Sequence, residues 1–227
     1  MPTMELTKDE DVHILTLTNG AGENRFTADV VGEYNDVLDE LEAFSGNTAL
    51  IVASNDPKFW CNGINLEWAI AQPPDGPIKN FGRMLDRLFL RFALLNLPTV
   101  GCLNGHTYAG GAILAATLDF RFMRADRGFF CFPEIDIRIP FTPIMQQILD
   151  YLPDHLALTE LLLTGRRIGG LEAREKQIVM AAYPQEELWK KTMEMARMLA
   201  MKDRVTYTTI KQNMRRTLAD ILKNLQD

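Results

Sequence analysis

Short apolar runs and amphipathic stretches alternate along the first two thirds of the chain. Runs rich in β-branched or aromatic residues predict strands. They cover residues 12–18, 49–53, 98–103, 120–124 and 129–132. The run at 49–53 is apolar throughout, which is typical of a strand that is buried on both faces of a sheet.

Apolar positions that recur every three or four residues predict helices between these strands. One helix spans about residues 28–44, with Thr27 as its N-cap, and a second spans 77–95. A short buried helix is predicted over 112–118, and the chain is mostly helical from residue 142 onward. A strand, a loop with an Asn-Gly pair and a helical segment occur at 49–70 and again at 98–118, which indicates two equivalent loops on one side of the fold.

The last part of the chain, residues 186–227, carries two helical patterns and no strand pattern. Its apolar positions need a surface to pack against, either the same chain or a second copy. We therefore expect a core over residues 1–185 and a C-terminal helical region over 186–227 that serves oligomerisation.

The length of 227 residues fits one domain, or one domain with a small appendage. The composition, 47% hydrophobic and 24% charged, is that of a globular protein. A formal net charge of −6 disfavours nucleic-acid binding. The longest apolar run, 109–118, is too short to span a bilayer, and no signal peptide is visible. We therefore expect no membrane association. A peroxisomal address is not supported, because the chain lacks a Ser-Lys-Leu type of ending, and a cytoplasmic location is the default expectation.

Several common functional motifs are missing from the sequence. The three cysteines form no C-x-x-C pair and are expected to be buried thiols, and the three histidines are too scattered to predict a metal site. Neither a G-x-G-x-x-G nor a P-loop motif is present, and no serine lies in a G-x-S-x-G elbow. Dinucleotide binding and serine hydrolase chemistry are therefore disfavoured.

Two glycine-containing loops are candidates for ligand binding. Gly110 and Gly111 precede the predicted short helix, whose N-terminus offers unpaired N–H groups and a partial positive charge. The loop around Gly63 and Ile64 offers a second N–H, and two donors aimed at one oxygen form an oxyanion hole. The alternative is that the glycines only permit tight turns and close packing of a helix on a strand.

One carboxylate stands out because apolar residues surround it. Glu134 follows an apolar strand directly, and burial there would raise its pKa toward that of a general acid or base. The alternative is a surface glutamate that pairs with Arg138. Asp136 would point to the same side as Glu134 in an extended segment, but we expect it to pair with Arg138.

Four short motifs follow one another in a fixed order. They are Lys58-Phe59-Trp60-Cys61-Asn62-Gly63-Ile64-Asn65-Leu66, Asn104-Gly105 with Ala109-Gly110-Gly111, Phe132-Pro133-Glu134, and Leu163-Thr164-Gly165-Arg166-Arg167-Ile168 with Glu172-Ala173. In order and spacing they resemble the enoyl-CoA hydratase/isomerase (crotonase) superfamily over about residues 5–185. The resemblance implies an α/β fold, a right-handed spiral of β-β-α turns with a helical C-terminal region used in trimerisation, and hence a homotrimer or a dimer of trimers.

The resemblance also implies a substrate and a site. The backbone N–H groups of Ile64 and Gly110 would polarise the carbonyl of an acyl-CoA thioester, and the loop 61–66 would lie against the CoA. Arg25 matches a region that contacts CoA phosphates. No cofactor is implied, because coenzyme A is part of the substrate. The other residues expected to contact substrate are Cys61, Asn62, Gly63, Asn65, Leu66, Ala109, Gly111 and Ile113.

The resemblance further distinguishes between reactions. Hydratases of the superfamily use two glutamates, and here Glu134 is kept while Ile113 occupies the position of the other. One acid suits the transfer of a proton between two carbons, so a Δ3,Δ2-enoyl-CoA isomerase is expected, with Ile113, Phe132 and Ile137 forming the acyl pocket. Two alternatives stay open: another acyl-CoA reaction, such as hydration, hydrolysis or decarboxylation, and a catalytically silent acyl-CoA-binding module.

Overall fold

The computed structural model describes residues 2–225 and contains two sheets. The larger sheet consists, in spatial order, of β1 (Met4–Asp9), β2 (Val12–Leu17), β3 (Ala49–Ser54), β5 (Thr99–Leu103), β7 (Phe120–Arg124) and β9 (Ala181–Tyr183). The smaller sheet consists of β4 (Phe59–Cys61), β6 (His106–Tyr108) and β8 (Phe130–Cys131). Only the hairpin of β1 and β2 is antiparallel among these strand pairs.

Helices connect the strands and cover both faces of the larger sheet. They are α1 (Ala28–Ala43), α2 (Leu66–Ala71), α3 (Ile78–Leu94), α4 (Gly110–Thr117), α5 (Glu134–Ile137), α6 (Pro143–Leu149), α7 (His155–Thr164), α8 (Gly170–Glu175), α9 (Gln185–Ala200), α10 (Arg204–Met214) and α11 (Arg216–Asn224). The predicted N-cap of α1 is confirmed, since Thr27 Oγ1 accepts a hydrogen bond from the N–H of Val30 at 3.3 Å.

The chain repeats one unit, a strand of the larger sheet, a strand of the smaller sheet and then a helix. The first repeat runs through β3, β4 and the helices α2 and α3, the second through β5, β6 and α4, and the third through β7, β8 and α5. Parallel strands joined through a helix form right-handed crossovers. The predicted spiral of β-β-α turns is therefore confirmed.

Strand β3 lies between two apolar cores, which explains its uninterrupted apolar sequence. Leu50 and Val52 point into the main core with α1 and α3, whereas Ile51 points into a second core that α9 covers. Alternate residues of a strand face opposite sides of its sheet. The prediction that residues 49–53 form a strand buried on both faces is thus confirmed.

Some elements were not predicted, and each has a weak sequence signal. Strand β1 is mostly polar because it is an edge strand that pairs only with β2. Strands β4 and β6 have three residues each, too few to show a period of two. The helix predicted over 112–118 begins earlier, at Gly110, so the glycine pair lies in its first turn.

The predicted C-terminal region contains three helices rather than two patterns. Helix α9 packs on the larger sheet, while α11 packs on α3 and α6. These contacts explain part of the apolar surface of this region within one chain. The division at residue 185 and the role in oligomerisation stay predictions.

Asp119, between α4 and β7, anchors helix α10 to the core. Its carboxylate accepts hydrogen bonds from the N–H of Thr99 at 3.0 Å, the hydroxyl of Tyr207 at 3.1 Å and the ammonium group of Lys211 at 2.9 Å. The guanidinium group of Arg215 lies 3.3 Å from its other oxygen. The side chain of Lys211 is only 4% exposed, so this carboxylate neutralises buried positive charge.

We predict that Asp119→Ala lowers the free energy of unfolding by about 3–5 kcal/mol, because it leaves buried cations without a partner. Glu194→Ala is the matched control, since it removes a carboxylate that pairs with Lys191 at the surface and should change stability little. Equilibrium unfolding in urea measures both variants. Equal, small effects of the two substitutions would contradict the anchoring role of Asp119.

Candidate active site

The three strands of the smaller sheet bring the sequence motifs together. Strands β4, β6 and β8 run parallel, so their carboxyl ends meet at one edge of the sheet. Each strand leads directly into a motif, at residues 62–65, 109–111 and 132–134 respectively. Ligands of parallel α/β folds commonly bind at this edge.

The first motif presents a free backbone donor at Ile64. On one side, the carbonyl of Gly63 accepts a hydrogen bond from the N–H of Phe26 at 2.7 Å. On the other side, the N–H of Asn65 donates to the carbonyl of Phe26 at 3.0 Å. Between them, the N–H of Ile64 has no acceptor within residues 2–225. The neighbouring peptides are thus fixed while this donor stays free.

The second motif presents a donor at the N-terminus of α4. Ala109 has φ 50° and ψ −127°, a backbone conformation that costs a non-glycine residue about 1–3 kcal/mol. Its N–H donates to the carbonyl of Cys131, and its carbonyl accepts from the N–H of Ile113, both at 3.0 Å. The N–H of Gly110 has no acceptor in the part of the chain that the structure describes. This donor also carries the partial positive charge of the helix N-terminus.

The two motifs touch through their glycines. A Cβ on Gly63, which has φ 74°, would lie 2.7 Å from the backbone nitrogen of Gly110. A Cβ on Gly111 would overlap the carbonyl oxygen of Cys61. Gly111 therefore serves the close packing of α4 on β4, whereas Gly63 brings the peptide that precedes Ile64 against the start of α4.

The third motif places a carboxyl group beside these donors. Glu134 begins α5 and is only 6% exposed. Its Oε2 atom makes no hydrogen bond within residues 2–225, and no cation of these residues pairs with it. Burial raises the pKa of Glu134 to about 7. Such a group can both take up and release a proton near neutral pH.

The predictions that involve an extended segment or Arg138 were wrong. Pro133 has φ −84° and ψ 10°, and it turns the chain into helix α5. Asp136 lies half a turn further along this helix and is exposed, so it does not share the side of Glu134. Among the described residues, Arg138 forms no ion pair with either carboxylate.

A cavity of about 430 Å³ lies between the three motifs. The sequence-predicted residues that line it are Arg25, Asn62, Ile64, Leu66, Ala109, Gly110, Ile113, Glu134 and Ile137. Cys61, Gly63, Asn65 and Gly111 lie behind this lining. The thiol of Cys61 is fully buried and donates to the carbonyl of Asn24, and the side chain of Asn65 caps α2. Phe132, expected in the acyl pocket, is instead buried in the core against Phe130 and Phe141.

Several lining residues were not predicted. Leu85 on α3 and Met145 on α6 belong to amphipathic patterns that do not distinguish a cavity wall from a core. Glu67, exposed at the start of α2, is a second carboxylate that lines the cavity. Nothing in its local pattern sets it apart from an ordinary surface residue.

Glu23 holds two of the predicted lining residues in place. Its carboxylate pairs with the guanidinium group of Arg25 and accepts a hydrogen bond from Nδ2 of Asn62 at 2.8 Å. The sequence motif Glu23-Asn24-Arg25 pointed to this region but not to the role of the glutamate. Arg25 and Asn62 are thus ordered at the polar side of the cavity.

A match to a family model identifies the family of this chain. The model described as enoyl-CoA hydratase/isomerase matches residues 7–226. The chain belongs to the enoyl-CoA hydratase/isomerase family. This membership confirms the resemblance that the four motifs indicate.

Named relatives refine the position within this family. Enoyl-CoA delta isomerase 2, peroxisomal, from Arabidopsis thaliana is 36% identical over 188 residues, which cover 80% of this chain and 78% of the relative. Enoyl-CoA delta isomerase 3 from the same plant is 32% identical over 217 residues, which cover 92% of this chain and 90% of the relative. The expected closeness to isomerase-type members of this family of enzymes is therefore confirmed.

Solved structures in the same family share the fold. A family member from Pseudomonas syringae superposes with a TM-score of 0.86 at 20% identity, over 98% of this chain and 94% of that one. An enoyl-CoA hydratase from Bacillus anthracis gives a TM-score of 0.84 at 18% identity, over 98% and 90% of the two chains. At these identities the likeness establishes the fold alone.

Two further features of the described residues concern metal binding and membrane-spanning helices. Within residues 2–225, no group of three or more histidine, cysteine, aspartate or glutamate side chains is arranged to hold a metal ion. No helix over the same residues has the length and apolar character needed to cross a membrane.

We predict that Glu134→Gln stabilises the fold above pH 7 by up to about 3 kcal/mol, since each unit of pKa shift is worth about 1.4 kcal/mol. The folded-state pKa of about 7 lies above the ordinary value of 4.5. Below pH 4.5 both states hold the proton, so the gain vanishes there; it grows between pH 4.5 and 7 and is constant above. Urea unfolding at pH 4, 6 and 8.5 measures this trend. The exposed Asp136→Asn is the control, and the same pH dependence in both variants would contradict the assignment to Glu134.

Proposed function

We propose that this protein is a Δ3,Δ2-enoyl-CoA isomerase, with Glu134 as the single carrier of the proton. The observation that carries the proposal is one buried carboxyl group, whose Oε2 atom has no hydrogen-bond partner among residues 2–225, in a cavity also lined by Ile64 and Gly110, whose backbone N–H groups are free. The names of the two Arabidopsis thaliana relatives support the same reaction.

The two donors stabilise the charge that the reaction creates. The thioester oxygen of a 3-enoyl-CoA binds between the N–H groups of Ile64 and Gly110. Removal of a C2 proton places negative charge on this oxygen. Hydrogen bonds from fixed donors stabilise the charged oxygen more than they stabilise the neutral carbonyl. Loss of one such donor typically raises a barrier by about 3–4 kcal/mol.

Glu134 moves the proton from one carbon to another. Its carboxylate removes a proton from C2, and the electrons delocalise over C2 to C4 and the thioester oxygen as a dienolate. The carboxyl group then returns the proton to C4, which leaves a double bond between C2 and C3 and restores the carboxylate. A pKa of about 7 suits both directions of this transfer.

The apolar side of the cavity supports isomerisation over hydration. Ile113 lies on α4 in the cavity wall and is 2% exposed, at the position where the resemblance places a second glutamate in hydratases. Hydration requires a positioned water and a second acid or base. Glu67 supplies a second carboxylate, which makes hydration the other candidate reaction. However, Glu67 is exposed at the start of α2, so it is not shielded from solvent as Glu134 is.

The polar side of the cavity is proposed to hold the CoA arm. Arg25, ordered by Glu23, is a cation for its phosphates, and Asn62 and Leu66 line the path toward the reacting carbons. No separate cofactor is proposed, since CoA belongs to the substrate.

We also propose a homotrimer or a dimer of trimers. Apolar side chains on α10 support further packing, because Val205 is 74% exposed, Ile210 is 55% exposed and Met214 is 73% exposed. A cytoplasmic location stays a prediction, and enoyl-CoA delta isomerase 2 of Arabidopsis thaliana is named as peroxisomal.

We predict that Glu134→Gln lowers the turnover of a 3-enoyl-CoA by about 10²–10⁴-fold, as expected for the loss of a general base. Binding of saturated acyl-CoA should stay within a few-fold of wild type, because the amide keeps the shape of the side chain. Formation of the conjugated 2-enoyl thioester is followed by ultraviolet absorbance. Asp136→Asn is the matched control and should keep full activity.

Two further measurements distinguish the alternatives. A wild-type product from 2-enoyl-CoA that is heavier by one water, together with loss of that activity in Glu67→Gln, would indicate hydration. CoA-ester binding without exchange of the C2 proton in heavy water would indicate a silent binding module. Near-normal isomerase rates in Glu134→Gln would remove this residue from the proposed role.

A further inference from the structure

A second groove, of about 700 Å³, borders the active-site cavity at Glu134. Glu134, Ile139 and Pro140 line both spaces, so the carboxyl group stands at their common boundary. The two spaces therefore lie next to each other along the segment that follows α5.

The groove has apolar walls that no part of the described chain covers. The segment after α5 contributes Ile139 and Phe141, and helix α7 contributes Leu162 and Leu163. Leu163 is 66% exposed, although the opposite face of α7 is buried in the core. Large apolar side chains left exposed along a groove indicate a ligand or partner.

The chemistry of the active site decides which ligand is expected. The thioester oxygen is held at Ile64 and Gly110, and Glu134 has to reach both C2 and C4. The acyl chain therefore runs from the donors toward the carboxyl group, and C5 and later carbons continue beyond it. The first cavity also holds the thioester and the adjoining CoA arm, which reduces the space left in its 430 Å³.

Resting on the proposed function, we propose that the acyl chain beyond C4 passes Glu134 and lies in this groove against α7. The groove makes the protein an acyl-CoA enzyme for long chains. Arg138 and Thr159, which also line the groove, are exposed and leave the apolar walls to the methylenes. Each buried methylene strengthens binding by up to about fourfold.

The test compares short and long acyl chains in a variant that fills the groove. Leu162→Trp, on the groove side of α7, should lower kcat/KM for a C14 3-enoyl-CoA by at least about tenfold, the scale of discrimination by apolar pockets. The same variant should leave kcat/KM for a C6 substrate unchanged. Leu156→Trp is the matched control, because Leu156 lies on α7, is 82% exposed and does not line the groove.

A binding experiment separates this proposal from the proposed reaction. Saturated C6 and C14 acyl-CoA do not react, so their dissociation constants report the groove whatever the chemistry is. Wild type should bind C14 more tightly, and Leu162→Trp should remove this preference. A wild-type protein that binds C14 acyl-CoA more tightly than C6 but does not isomerise a 3-enoyl-CoA would count against the proposed reaction and not against the groove.

Two results would overturn the proposal. One is loss of the C14 preference in Met145→Trp, which lines the first cavity but not the groove, with no loss in Leu162→Trp. The other is a change of oligomeric state by light scattering in Leu162→Trp with the C14 preference intact, which would assign the groove to a second copy of the chain.

Discussion

Contact between two backbone segments, the peptide at Gly63 and the amide of Gly110, is the constraint on which the site depends. Any side chain on Gly63 would collide with that amide, because its Cβ would lie 2.7 Å from the amide nitrogen. The segments come from different turns of the spiral, and parallel strands bring them to one edge. Donors fixed in this way need no reorganisation when charge develops on a ligand oxygen.

The buried carboxyl group of Glu134 lowers the stability of the fold. Burial of this carboxyl group raises its pKa and reduces the stability of the fold above neutral pH. Glu134 lies in a helix of only four residues, which has Pro133 as its N-cap and Arg138, at φ 59°, as its C-cap. Strain at Ala109 is a second local cost, and it lies at the start of the helix that presents the Gly110 donor.

Much of the fold follows from local patterns in the sequence. The apolar run at 49–53 predicted a strand with both faces buried, and Thr27 predicted the start of α1, because both signals are complete within a few residues. Strand β1 was not predicted, because it is an edge strand that pairs only with β2 and its mostly polar sequence lacks the apolar pattern of a buried strand. Asp136 was misplaced because the turn at Pro133 depends on how the chain packs after β8.

The site residues that belong to short sequence motifs could be predicted, whereas those that reach the cavity through helix packing could not. Ile64, Gly110 and Glu134 belong to short motifs and line one cavity, as the motifs led us to expect. Leu85 and Met145 reach the same cavity from helices whose apolar faces also serve the core, so periodicity gives them no distinct signal. Phe132 was assigned to the pocket on proximity in sequence, yet the fold directs its ring into the core.

The most direct measurement is the infrared stretching frequency of a ¹³C-labelled thioester carbonyl in an enoyl-CoA bound to Glu134→Gln, which holds the ester without converting it. Two hydrogen bonds from the backbone should polarise the carbonyl and lower its frequency relative to the same ester free in water. A frequency equal to or higher than that of the free ester would contradict the account, because the two donors would not then hold the acyl oxygen.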